Sequence, residues 1–489
     1  MSLFAKALNS VKWGAVEQLS SQLLQLVVLL LLSRLVDKEV FGLIALTNVF
    51  CAFLQLFVRK GIGDAIIQKE KLSDGVTHTA FWSSLAVGVL LVVIACVASP
   101  FLADLYDDQR IIPIVSVLSI SMLLGALSTV PLAILKREMR FRPIAIRSIA
   151  GRLIGGSVGI YMAFSGCGVW SLVAVQLVGD AVATLFLWLA GCYFPKFCYQ
   201  KEHAMNLYLF GGKVIGTQLM NFFNRRYDVL IIGKFFGMET LGVYAVSMKV
   251  IDFGVNLFMG VFGQVGYPLM CRLHRDRVKF KEFMMSSIVV ISALVTPFAL
   301  SLYFHGDFWI IVLLGHNWEE AIPISVLLSL ILLIKLTSWS EGLALIAMGH
   351  PGTRMKIAAF FACVSILSLT AGAFAGLAWF VLAACMRYYV AAIPMMSITA
   401  RLTDLRVLDI LMSHLIPVSL GIVAIGGGCW LVNWSAVVNP FASITLQLLC
   451  VCLYFALIGA FVLLPFAYTH RLRSNLLFSI SNFRSQRNL

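Results

Sequence analysis

Long apolar runs, repeated from one end of the chain to the other, constrain this sequence more than any other feature in it. A helix needs about 18 to 20 mostly apolar residues to cross roughly 30 Å of hydrocarbon. Such runs recur so often along the 489 residues that no stretch remains for a sizeable soluble domain. Mean hydropathy is +0.94, and only 12% of residues are charged, against about a quarter in soluble domains. Apolar runs set against turn and charge punctuation predict an all-α integral membrane protein of about fourteen transmembrane helices, centred near residues 22, 49, 91, 122, 155, 180, 220, 256, 293, 330, 365, 388, 422 and 453. The first run, from near Ser10, is too long and too polar for a signal-peptide core and has no obvious cleavage site, so the N-terminus is expected to be retained.

The formal charge of +14 does not point to nucleic acid, because the basic residues are spread between apolar runs rather than gathered in a domain that grips phosphates. They follow topology instead. With alternate connections taken as cytoplasmic from the N-terminus onward, those connections hold 2, 4, 6, 2, 5, 2, 2 and 4 Lys or Arg, or 27 of the 37. The opposite connections hold Arg34, Lys38, Arg110 and Lys234, while "LADLYDDQ" and "LLGHNWEEA" there are acidic. The positive-inside rule then predicts both termini cytoplasmic. The eleven cysteines, such as Cys51, Cys96, Cys385, Cys450 and Cys452, lie mostly within apolar spans with no C-x-x-C and no His cluster. They are read as small hydrophobes, and no metal site is expected.

The chain also repeats itself. At an offset of 200, "LSRLVDKEVFGLIAL" (32–46) lies on "IGKFFGMETLGVYAV" (232–246), matching Glu39 to Glu239, Gly42 to Gly242, Ala45 to Ala245 and Arg34 to Lys234, with Gln18 and Gln218 in the same register. A weaker echo pairs "GVWSLVA" (168–174) with "LAWFVLA" (377–383). Spans 1 to 6 (residues 1–200) and 7 to 12 (201–402) therefore read as two parallel lobes. Spans 13 and 14 (403–468) are an addition, and 469–489 a cytoplasmic basic tail. Parallel repeats about an axis along the membrane normal are a transporter architecture. The tail, "HRLRSNLLFSISNFRSQRNL" from His470, suits an interfacial helix or a disordered cationic segment equally.

The stretch "NFFNRRYDVLIIG" (221–233) sets two arginines and an aspartate side by side. If the connection in the second copy begins at Lys234, as it begins at Arg34 in the first, Arg225, Arg226 and Asp228 lie inside span 7. A charge there costs at least about 2.5 to 3.5 kcal/mol unless it faces protein, a partner or water. Lys213, Thr217, Asn221, Arg225 and Asp228 recur at i, i+4, i+8, i+12 and i+15, one stripe of a helix. The register maps the first four onto Trp13, Glu17, Ser21 and Gln25 of span 1. Two polar stripes that lipid cannot solvate are expected to face each other or a shared aqueous cavity. The alternative is a pairing of Arg225 with Asp228 at i+3 that serves only the bundle.

Other charges lie within spans. Lys249 and Asp252 are spaced to pair at i+3; Lys335 and Glu341 are too far round their helix for an easy pair, so each is expected to look into the bundle; Arg387 has no acid nearby; Asp180 is mid-span. Arg147 and Arg152 leave two readings open, the bundle interior or the cytoplasmic surface. Counting Arg147, Arg152, Lys213, Arg225, Arg226, Lys249, Lys335 and Arg387 against Glu17, Asp180, Asp228, Asp252 and Glu341 gives 8 minus 5, or +3. A cationic path predicts an anionic cargo.

Several of these stretches, with "GIGDAIIQKEKL" before "AFWSSL", "LKREMRFRPIA" and "NRRYDVLIIGKFFGMETLGVYAV", resemble the polysaccharide transporter family, the Wzx-type flippases of lipid-linked oligosaccharides, in its colanic-acid-exporter-like branch. The resemblance runs to about residue 400. It implies a MATE-like fold of two six-helix lobes, alternating access, and an undecaprenyl-pyrophosphate-linked oligosaccharide as cargo at the bacterial inner membrane, with membrane lipids and the polymerase and chain-export proteins of the pathway as partners. Coupling to a proton or sodium gradient is also implied, with Asp228 at the matching position; Arg226 adds a basic residue where many relatives have an uncharged one. Arg225, Arg226, Lys213, Lys335 and Arg387 are the candidate anion contacts, Thr217, Gln218, Asn221 and Gln18 the candidate sugar contacts, and Asp228, Glu17, Asp180 and Glu341 the candidate coupling or gating acids. A drug or small-cation antiporter of the same superfold is the alternative and calls for an acidic cavity. A membrane enzyme is not expected, since no D-x-D, H-E-x-x-H or P-loop is present and no cofactor is implied.

Overall fold

The computed structural model describes residues 3–59, 61–68, 73–190 and 193–426, with 451, 453, 454 and 458 beyond. Among the described residues the chain is helical throughout, in the order α1 Leu3–Ser33, α2 Lys38–Arg59, α3 Gly61–Gln68, α4 Asp74–Tyr106, α5 Ile111–Leu118, α6 Ile120–Arg137, α7 Phe141–Phe164, α8 Val169–Leu189, α9 Lys201–Leu273, α10 Arg277–Phe304, α11 Gly306–Leu314, α12 Ala321–Ala347, α13 Pro351–Ala375, α14 Leu377–Leu402 and α15 Val407–Gly421. Among the described residues, eleven stretches are long and apolar enough to cross a membrane. Helices stand at thirteen of the fourteen expected positions; the region around residue 453 and the tail from His470 lie almost wholly outside the described residues. The span expected near 155 is the helix α7, which is not one of the eleven apolar stretches. The chain forms two compact units, one of residues up to Val246 with Leu313–Trp318, the other of Ser247–Val312 with the described residues from Glu319.

In the first unit, Ala65, Ile66, Phe81, Val130 and Ile134 form a core of α3, α4 and α6, with Trp82 and Trp188 packed against it. Helices α7 and α8 approach closely because small residues line the contact: a Cβ on Gly151 would lie 2.6 Å from the Gly179 carbonyl oxygen, and one on Gly155 would lie 2.8 Å from the Gly179 Cα. Without a hydrophobic drive between lipid-facing helices, such backbone proximity is how they gain packing energy. In the second unit, Met270, Phe280, Met284, Ile288, Ala344, Met396 and Ile410 make the core.

Helix α9 is two helices joined at Gly237, whose φ of 83° and ψ of 175° only glycine adopts at little cost. Gly237 is 200 residues beyond Asp37, which lies in the turn between α1 and α2. The register returns in the packing: a Cβ on Gly42 would overlap the Met238 carbonyl, and one on Gly242 would overlap the Lys38 carbonyl. The contacts are reciprocal, as a local twofold relation requires.

Candidate functional site

Arg225, Arg226 and Asp228 lie inside the first arm of α9, roughly two to three turns before the Gly237 break. Both arginines are exposed, and neither makes an ion pair among the described residues. Asp228 is buried. Its Oδ2 accepts a hydrogen bond from the Tyr244 hydroxyl at 2.7 Å and its Oδ1 one from the Val229 amide at 2.9 Å. Among the described residues no i+3 pairing of Arg225 with Asp228 is formed: the acid meets a tyrosine from the arm beyond the break. The side chains of Lys213, Thr217 and Asn221 lie outside the described residues. Gln18 and Gln218 are half-buried.

On the other stripe, Arg152 of α7 donates to the Gln25 side chain of α1 at 3.2 Å, and Glu17 and Asp180 are the carboxylates within electrostatic reach of it. Three elements thus bring Glu17, Gln25, Arg152 and Asp180 together, and Arg152 is engaged across helices as well as partly exposed.

The second unit holds its own cationic group. Lys335 of α12 pairs with Asp252 of α9 at 3.1 Å, which replaces the expected Lys249–Asp252 pair: the partner comes from another helix, 83 residues away. Arg387 is buried, its guanidinium carbon 5.1 Å from the Tyr388 ring centroid and 5.9 Å from that of Phe361, while Lys335 Nζ is 5.7 Å from the same Tyr388 ring. Aromatic faces help carry this positive charge. Sequence reasoning missed Tyr388 and Phe361, as it missed Tyr244; the one available signal was the adjacency of Tyr388 to Arg387. Glu341, fully buried, meets His414 of α15.

Near the helix break, two loops grip helix ends crosswise. Tyr106 donates to the Leu230 carbonyl at 3.2 Å and Lys234 to that of Leu105 at 2.7 Å. Trp318 donates to the Ser33 carbonyl at 2.7 Å, with its ring edge-on to Phe41 at 5.4 Å. Arg110 bridges Asp108 and Glu39, and Lys38 lies 3.9 Å from Glu239. Burial works to raise the Asp108 carboxyl, but its hydrogen bonds from Arg110 prevail and hold it below the usual carboxylate range. Arg110 is pushed up in turn by Asp108 and then Glu39.

A family described as "Polysaccharide biosynthesis protein" matches residues 31–323, more than half the chain. The chain belongs to this family. The Succinoglycan biosynthesis transport protein ExoT of Rhizobium meliloti is 23% identical over 322 residues, 66% of this chain and 65% of that one, so the match spans just under two thirds of that relative's length. The Lipopolysaccharide biosynthesis protein WzxC of Escherichia coli is 21% identical over 374 residues, 76% of each. Among solved structures, the lipid II flippase MurJ in an inward closed conformation superposes with a TM-score of 0.76 at 12% identity, covering 92% of this chain and 99% of MurJ. An inward-facing multidrug MATE transporter superposes at 0.61 and 13%, covering 80% and 99%. At such identities these structures show the fold, which is the MATE-like one expected, in a multi-pass membrane protein.

Proposed function

We propose that this protein moves an anionic, undecaprenyl-pyrophosphate-linked oligosaccharide across the bacterial inner membrane by alternating access, with both termini cytoplasmic. The observation that carries the reading is Arg225 and Arg226, two exposed guanidinium groups inside an apolar helix with no acid paired to them among the described residues. A planar fork of donors matches phosphate and carboxylate oxygens. Lys213, Lys335 and Arg387 add positive charge, and Thr217, Gln218, Asn221 and Gln18 suit sugar hydroxyls. The relatives' names, which speak of transport and of polysaccharide biosynthesis, support the same cargo class. A small-cation antiporter calls for an acidic cavity, whereas the exposed charged groups of this stretch are the Arg225 and Arg226 guanidinium groups. The MATE likeness alone does not favour it.

The test is complementation of a strain lacking its own flippase, with lipid-linked intermediates counted on each leaflet. Restoration of the outer-leaflet pool is expected. An unchanged leaflet distribution, with the protein present and folded in the membrane, overturns the reading. The acids Asp228, Glu17, Asp180 and Glu341 are proposed to respond to a proton or sodium gradient, since each charge crossing about 100 mV is worth roughly 2.3 kcal/mol.

A further inference from the structure

One buried titratable pair is used by neither cationic group. Glu341 on α12 is fully buried, and its Oε1 lies 3.1 Å from Nε2 of His414 on α15, also buried. The second oxygen of the acid, Oε2, and the second nitrogen of the imidazole, Nδ1, have no hydrogen-bond partner among the described residues. The apolar core of this unit includes Ile288, Ala344, Met396 and Ile410, and the buried hydroxyls of Ser340 and Ser413 stand next to the pair in sequence. The charged groups on the helices packed there are otherwise engaged or belong to helix ends. Arg277 and Lys281 of α10 pair with Asp404, Asp409 caps the start of α15, and Lys335 holds Asp252. Arg387 of α14 stacks on Tyr388. Arg354 of α13 lies beside the residue after Glu341, its Nε 3.4 Å from where a Cβ on Gly342 would stand.

Proton counting on the pair is then restrictive. With no added proton the pair carries a buried net negative charge: the Nε2–H tautomer of a neutral imidazole can donate to Oε1, but Oε2 accepts nothing and the charge costs several kcal/mol. With one added proton the pair is neutral overall, whichever atom carries it, and keeps the Oε1–Nε2 hydrogen bond. Once α12 and α15 part and water enters, the carboxylate is solvated without help, and a solvated imidazole is neutral above pH of about 6.5. The closed contact therefore holds one proton that the open one releases.

We propose that Glu341 and His414 form a proton-binding site whose occupancy is linked to closure of α12 on α15, taking up one proton on closing and releasing it on opening at neutral pH. The site rests on geometry alone; its use in coupling transport rests on the flippase reading above. His414 lies in the segment added after the repeat, so the site has no duplicate in the first half, and a single site sets a stoichiometry of one proton per closure.

Two measurements on the full-length protein test it. In pH-jump infrared difference spectra of the purified protein in nanodiscs, a carboxyl stretching band should appear on acidification, vanish in Glu341→Gln and titrate at a different pH in His414→Gln. His414→Gln, which leaves the carboxyl in place, serves if Glu341→Gln does not fold. A band that survives Glu341→Gln, or one that His414→Gln leaves at the same pH, overturns the site. In sealed vesicles containing lipid-linked saccharide, the ratio of flipping rates with and without an imposed pH gradient should change by up to about tenfold per pH unit for one proton, and fall to one in either variant. A wild-type ratio of one refutes the coupling. If the infrared assignment holds but wild-type vesicles move no saccharide at all, the flippase reading fails and the proton site stands.

Discussion

Helices α1 and α2 and the two arms of α9 are the same device written twice, and they have diverged in what they carry. Both copies keep the break, at Asp37 and Gly237, and both keep the crossing glycine, Gly42 and Gly242, whose hydrogens touch the other copy's backbone. The stripes leading to the break differ: Glu17 and Gln25 stand where the second copy has Thr217 and Arg225. Geometry shared by the copies is backbone geometry that a side chain cannot alter cheaply. Charge is free to change, and the second copy has gathered the cations.

The largest effect should come from exchanging charge across the comparison. Arg225→Gln makes the second stripe like the first at that position. Export should fall roughly ten- to a hundred-fold, the worth of a charge-assisted hydrogen bond of about 1.5–3 kcal/mol, while thermal stability stays within about 0.5 kcal/mol because the side chain is exposed and makes no ion pair among the described residues. Lysine should rescue in part, lacking the bidentate fork. The double change Arg225→Gln with Asp228→Asn should fold and still not export; near wild-type export by it would show that the arginine serves the helix and not the cargo.

Next in size are the glycines. Gly42→Ala and Gly242→Ala should each lower stability by about 1–3 kcal/mol, the cost of overpacking, and by similar amounts, because each methyl meets the equivalent carbonyl of the other copy. Unequal midpoints in thermal unfolding would break the twofold relation. Tyr244→Phe comes close behind. It strips the buried Asp228 of its hydroxyl donor and should cost about 1–3 kcal/mol, whereas Tyr106→Phe, which removes a donor to a carbonyl only, should cost less.

These contrasts also mark what the sequence made legible. Apolar length and the register of 200 placed the helices, the break within three residues of Gly237, and Arg225, Arg226 and Asp228 within a helix, because span length, helical period and repeat register are local properties of the chain. Partners were not legible. Asp228 chose Tyr244 over Arg225, Asp252 chose Lys335 over Lys249, and Glu341 met His414, 73 residues on. Spacing at i+3 says which groups can meet on one helix, but a buried acid takes whichever donor the packing of another helix presents, and nothing in the periodicity of either helix records that choice.

The smallest effect separates backbone from charge at the break itself. Arg110, joined to Asp108 and Glu39, lies beside the same turn that the crossing glycines define, yet about half its side chain is exposed, and exposed pairs contribute about 0.2–1 kcal/mol. Arg110→Gln should therefore lower the unfolding midpoint far less than Gly42→Ala, and 1 M salt, where the screening length is about 3 Å, should erase most of the difference from wild type. The pH dependence has a definite sign. The Asp108 carboxyl is held below its ordinary value in the folded chain, so its contribution is present above the unfolded value of about 3.9 and is lost as pH falls through the folded one. Wild type should lose stability relative to Arg110→Gln only below about pH 4, the two curves converging there in low salt. Curves that converge near neutrality instead would mean that another group, and not the Asp108–Arg110 pair, governs this turn.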